Sequence, residues 1–97
     1  MAYFVLLCTD KPHHAEMRMA VRPDHLAYLM DYSESVKAAG PFLDDQGGMV
    51  GSMLIINVDD RAQAEQFAAG DPYAKAGLFS RVEIRPWKWV IGEPGAA

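Results

Sequence analysis

Six residues, 3-YFVLLC-8, run almost wholly apolar, and in 49-MVGSMLIINV-58 both alternating faces carry large aliphatic side chains. Successive side chains of a strand point to opposite faces, so a sheet with one wet side alternates apolar with polar residues. Neither segment does so. Val50, Leu54, Ile56 and Val58 share one face of the second segment, and Met53 and Ile55 share the other. Both faces of such a sheet need cover. A chain of 97 residues makes one domain with a modest core. Two helices can cover one face. The other would remain an apolar patch of the kind that marks an interaction surface. A second copy related by a twofold axis is the simplest cover.

The order of elements agrees. Tyr3 to Thr9 reads as a strand, and Asp10 to His14 as a loop. Ala15 to Val21 reads as a short helical turn. Pro suits a first helical position, where its missing N–H is not needed. From Pro23 onward Leu26, Leu29, Ser33, Val36 and Ala39 recur at helical spacing. This predicts a long helix over 23–39, ended by Gly40-Pro41. Phe42-Leu43 begins a second short strand, and 44-DDQGG-48 is a hairpin turn into a third strand, 49–58. Asp59 can cap a helix over 60–69, which Gly70 stops. Asp71-Pro72 opens a short helix to Ala76. Leu78 to Ile91 is the last strand, with Val82 and Ile84 on one face and Phe79, Trp87, Trp89 and Ile91 mostly on the other. The order β-α-β-β-α-β predicts a ferredoxin-like α+β fold, an antiparallel sheet with its helices on one face. Residues 1–91 form the single domain, and 92–97 a flexible C-terminal tail.

Composition narrows the function. Thirteen acidic and nine basic side chains give a net charge of −4, with the basic residues scattered. That leaves no electrostatic footprint for nucleic acid. The apolar runs are too short to span a bilayer, and the N-terminus lacks the pattern of a signal peptide. The lone Cys8, in a strand, reads as a core residue in a reducing, cytoplasmic setting.

Three groups could carry chemistry. The first is His25 with Arg22 and Arg18. In the first turn of a helix the positive end of the dipole disfavours imidazolium. His25 would then stay neutral, the form that takes up a proton. Arg22, held extended by the following Pro, stands at the helix mouth with Arg18 as a contact for an anionic group or leaving halide. The second group is 70-GDPYAKAGLF-79, where Asp71 reads first as a helix cap. If it lies beside His25 it would also orient the ring and stabilise imidazolium. Ser52 offers a hydroxyl that could face the same cleft, and Tyr73 a cleft wall, although an aromatic there is more often core. The third group is His13-His14. With His25 these could serve a metal-dependent oxygenase, but their spacing lacks a ligand pattern, and no metal is expected.

Taken together, Arg18, 22-RPDHL-26, 39-AGP-41, 51-GS-52, 71-DPYAKAGLF-79 and 82-VEIRPWKWV-90 resemble the YciI-like (YCII) family, from the first strand to Val90. Asp24 departs from the Ala that many relatives carry there, and adds a carboxylate near the motif. The resemblance implies a dimeric α+β barrel in which two ferredoxin-like sheets face each other. It also implies a His–Asp dyad, which maps onto His25 and Asp71. Its activity would be that of a small cofactor-independent acid–base enzyme. Such an enzyme abstracts a proton from a small oxidised ring compound, with elimination, as in a dehydrochlorinase or lyase, or isomerisation. The expected partners are a small-molecule substrate, with an anionic group or halide, and a second copy in a homodimer or dimer of dimers. The alternative is a non-catalytic ligand- or partner-binding module of the same family.

Overall fold

A computed structural model describes residues 2–93; positions 94–97 of the expected tail lie outside them. The elements are β1 (Ala2–Asp10), α1 (Ala15–Asp31), β2 (Val36–Leu43), β3 (Met49–Val58), α2 (Arg61–Gly70), α3 (Pro72–Lys75) and β4 (Phe79–Trp87). The four strands form one sheet in the order β2-β3-β1-β4, every neighbouring pair antiparallel. This is the expected ferredoxin-like α+β fold. No helix is long and apolar enough to cross a membrane among the described residues.

The central strands set the register. Phe4 lies opposite Ile56, Leu6 opposite Leu54 and Cys8 opposite Ser52. All six are buried. With Val58, Ala64 and Phe67 the apolar members form the core between sheet and helices. The intervening residues Val5, Leu7, Met53 and Ile55, with Trp87 of β4, line the outer face. Both strand prolines, Pro41 of β2 and Pro86 of β4, stand on edge strands, where a missing N–H is tolerated.

The first helix differs from the expectation. It starts at Ala15 and runs unbroken through Pro23 to Asp31. The helix expected over 23–39 therefore merges with the short turn before it and stops eight residues early. Tertiary packing tolerates the interior proline, at the cost of one intrahelical hydrogen bond. Tyr32 to Ser35 form the turn out of the helix, and Val36 to Ala39 join β2. Ser33 was the weak member of the apolar period, and the helix ends just before it. Gly40-Pro41 thus lies within an edge strand and stops nothing. In β4 a register shift at Thr9/Asp10 turns Phe79 to the same side as Ile84, and both pack on the core. Trp89 and Ile91 lie beyond the strand. The cap of α2 is Asp60, one residue after the expected Asp59; it accepts from the Gln63 backbone N–H at 2.9 Å.

One close approach brings the helices together. Tyr28 of α1 donates to the Phe67 carbonyl of α2 at 2.9 Å. A Cβ on Gly70 would sit 2.6 Å from that tyrosine oxygen, so a larger residue there would have to displace the Tyr28 hydroxyl from its bond to Phe67. Gly70→Ala should therefore destabilise the protein by about 1–3 kcal/mol in urea unfolding. Adding Tyr28→Phe, which removes the obstructing oxygen, should cost less than the sum of the two single changes.

Candidate active site

The corner between α2 and α3 is built by three residues. Gly70 ends α2, and Pro72 obliges the residue before it to be extended. Asp71 accordingly has φ −62° and ψ 129° and caps α3: its Oδ1 accepts from the Tyr73 backbone N–H at 2.9 Å. The same carboxylate meets His25 of α1, with Nδ1 at 2.9 Å from Oδ1 and 3.1 Å from Oδ2. Both residues are buried. His25 lies about three turns into α1, so the dipole of a helix start has no part in its setting, contrary to the expectation from Pro23. An ionised Asp71 only accepts hydrogen bonds, so Nδ1 is the donor of this pair, and in the neutral imidazole the lone pair is then the one on Nε2.

Arg18, Arg22, His25 and Leu29 recur at spacings of three and four along α1, and so share one face of the helix. Those four line a cleft of about 460 Å³, part of it open solvent, with Leu26, Ser52 and Tyr73. The six candidate residues of the first two groups, Ser52 included, lie in one place: Arg18, Arg22, His25, Ser52 and Tyr73 line the cleft, and Asp71 stands behind His25. Tyr73 is fully buried, and its ring stacks on His25 at 4.1 Å between centroids. The guanidinium carbon of Arg18 lies 4.6 Å from the centre of the same ring.

Arg18 is more deeply engaged than an anion contact would be. Its Nε donates to Asp10 at 2.6 Å, and its Nη2 donates to Asp10 at 3.1 Å and to Ser52 Oγ at 2.8 Å. This buried bidentate pair neutralises the charge of Arg18 locally. Arg22 is half-buried and forms no ion pair among the described residues. Asp10 is the residue that sequence reasoning missed, having assigned it to a loop. The signal was available: Phe4, Leu6 and Cys8 alternate toward the core, and Asp10 continues the period. His13 and His14 lie outside the cleft, before α1, and His14 Nδ1 is 2.7 Å from the Pro12 carbonyl.

A buried imidazole–carboxylate pair above a ferredoxin-like sheet defines a class, and the sequence assigns it: the chain belongs to the YCII-related domain family, whose model matches residues 2–88. Its relatives include protein YciI of Escherichia coli O6:H1, 34% identical over 96 residues that cover 91% of this chain and 98% of that one. An uncharacterised protein of Haemophilus influenzae is 35% identical over 97 residues, 92% of this chain and 99% of its own. Among solved structures, 5-chloro-2-hydroxyhydroquinone dehydrochlorinase (TftG) from Burkholderia phenoliruptrix AC1100, in complex with 2,5-dihydroxybenzoquinone, superposes with a TM-score of 0.83. It is 31% identical, over 89% of this chain and 93% of that one.

Beside this site Cys8 is inert. Burial, above all, and then the carboxylates of Asp71 and Asp10 push its thiol up to about 12, against a smaller opposing effect of Arg18. At about pH 8.5, where an ordinary thiol is half ionised, native protein should resist iodoacetamide, and urea-unfolded protein should be alkylated readily. Mass spectrometry reads both. Rapid labelling of native Cys8 would contradict the burial.

Proposed function

We propose that the cleft is a proton-transfer site acting on a small oxidised ring compound, with elimination of halide or isomerisation as the outcome. The observation that carries this reading is the His25–Asp71 pair, held at 2.9 and 3.1 Å with the imidazole lining the cleft. His25 Nε2 is the base. Asp71 fixes the tautomer and supplies the counter-charge when the ring becomes imidazolium. Leu26, Leu29 and Pro41 give apolar walls suited to a ring, and Arg22 gives the cleft a positive charge that forms no ion pair among the described residues. Likeness to the dehydrochlorinase supports elimination as the specific outcome. In that reaction a chlorinated hydroquinone reacts as its dione tautomer. The base takes a proton from the carbon next to the one that bears chlorine, the electron pair forms the carbon–carbon double bond between them, and the carbon–chlorine bond breaks to release chloride.

The test is chloride release and ring absorbance with 5-chloro-2-hydroxyhydroquinone. General acid–base help from one side chain contributes about 10²–10⁴-fold, so His25→Ala should lose nearly all turnover. Asp71→Asn should keep the cap of α3, because asparagine caps about as well as aspartate. Its amide N–H₂ would face Nδ1, however, and favour the tautomer with the proton on Nε2. Turnover should fall severely with little change in melting temperature. Wild-type rates in either variant would reduce the pair to structure and leave a ligand-binding module.

We also propose that a second copy of the chain covers the outer sheet face. Val5, Leu7, Met53, Ile55 and Trp87 make that face apolar, and Trp87 is 40% exposed. Sedimentation at micromolar concentration should give twice the chain mass of 10.7 kDa. A monomer would overturn this arrangement.

A further inference from the structure

The start of β3 carries one residue more than the end of β2. Phe42 lies opposite Gly51 and Leu43 opposite Met49, so Val50 has no partner on β2. This is a β-bulge, a device that re-aims the side chains beside it. In strict alternation Met49 would share the outer face with Met53 and Ile55. Those two do line that face. Met49, half-buried, instead lines the cleft on the helix side of the sheet. It also lines a second cavity of about 470 Å³, part of it open solvent, walled by Ala15, Met19, Gly47 and Gly48. Arg18 and Met49 line both cavities and so stand between them. Arg18 is fixed there by Asp10 and Ser52. Met49 has no such anchor, and its thioether chain is flexible. Its backbone is nevertheless well placed, because the turn before it is held from within. Asp44 Oδ1 accepts from the Gln46 N–H at 2.9 Å and the Gly48 N–H at 2.8 Å, and Gly47 adopts φ 85°, a conformation that favours glycine.

We propose that Met49 determines the size of substrate the cleft admits: its side chain closes the end beside Arg18, and the cavity behind it is a subsite that opens when that side chain is shortened. This rests on the reading of the cleft as a site for a small ring compound, and it narrows the substrate class. The native substrate is a single ring with no alkyl chain on the edge that meets Met49. The chemistry of the second cavity names what would enter it. Ala15, Met19 and Met49 are apolar, and Gly47 and Gly48 contribute no side chain. The N–H of Gly48 is already given to Asp44, and the charge of Arg18 is balanced by Asp10. The subsite therefore suits an alkyl substituent and offers little to a charged one. The bulge makes this a property of one residue. Without the extra residue at Val50, Met49 would turn to the outer face and the end of the cleft would stand open.

Calorimetric titration of the full chain with 2,5-dihydroxybenzoquinone and with its 3-butyl derivative tests this. The readout is the ratio of the two affinities, which a general loss of packing would not move. The wild-type chain should bind the butyl compound at least about tenfold more weakly than the parent, the scale on which an apolar pocket discriminates by methylenes. Met49→Ala should reduce that preference by about tenfold or more. Met49→Val, also shorter and suited to a strand, should act in the same direction and serves where the alanine variant folds poorly. Met49→Leu, of similar volume, should keep the wild-type preference. Equal affinity of the wild-type chain for both compounds would overturn the proposal. So would an unchanged preference in both Met49→Ala and Met49→Val, or an equal loss of preference in Met49→Leu. Any of these results, with the parent compound still bound, defeats this proposal alone. A wild-type chain that binds neither compound defeats the reading of the cleft beneath it, and this proposal with it.

Discussion

A guanidinium buried to 2% exposure holds four elements in one place. Arg18 belongs to α1, Asp10 to the end of β1 and Ser52 to β3, and the ring against it, Tyr73, belongs to α3. Breaking a buried pair by removing one partner leaves an uncompensated charge, a loss of about 3–5 kcal/mol. The geometry around it is correspondingly fixed. Planar guanidinium, phenol ring and imidazole are packed in contact, and Asp71 closes the series at the far side of His25. The position of the imidazole is thus inherited from an ion pair two helical turns away, through an aromatic ring between them in the chain of contacts.

That arrangement also decides the electrostatics of the cleft. A net charge of −4 would suggest a surface poorly suited to anions. With Arg18 balanced by Asp10 and His25 facing Asp71, Arg22 stands on the same helix face without an ion-pair partner among the described residues. Under the proposed function, a cleft with apolar walls and one cation without an ion-pair partner among the described residues suits a flat molecule carrying little charge that gains charge during the reaction. A phosphate-rich ligand would need several more donors.

Much of this was legible in the sequence, because the governing forces were local or periodic. The two-sided apolar strands announced β1 and β3, and Asp71-Pro72 announced a cap through chemistry that neighbouring residues enforce. The first helix was misread for a physical reason. Proline at a helix start and proline tolerated within a helix have the same local signature, and only packing against α3 and the sheet distinguishes them. With the helix divided at Pro23, the stripe of Arg18, Arg22, His25 and Leu29 was split across the division and could not be seen as one face. Asp10 was lost because a charged residue next to Lys-Pro looks like a loop. Its role depends on an arginine that sequence could not place opposite it. The meeting of His25 with Asp71 was likewise beyond local reasoning, since the two residues are 46 apart in sequence and meet only through the packing of α1 against the α2–α3 corner.

One oxygen of Asp71 both caps α3 and holds His25. Under the proposed function, selection on folding and selection on chemistry act on the same atom. A descendant of this chain that had ceased to turn anything over would still gain from keeping a capping residue at position 71, because the corner beneath Tyr73 needs it. Finding 71-DPY-73 intact in a relative reports an intact corner before it reports an activity. His25 caps no helix end, so drift there is not opposed by the same structural demand. A lineage drifting away from catalysis would be expected to record its departure at the histidine first, with the aspartate surviving as the older signature.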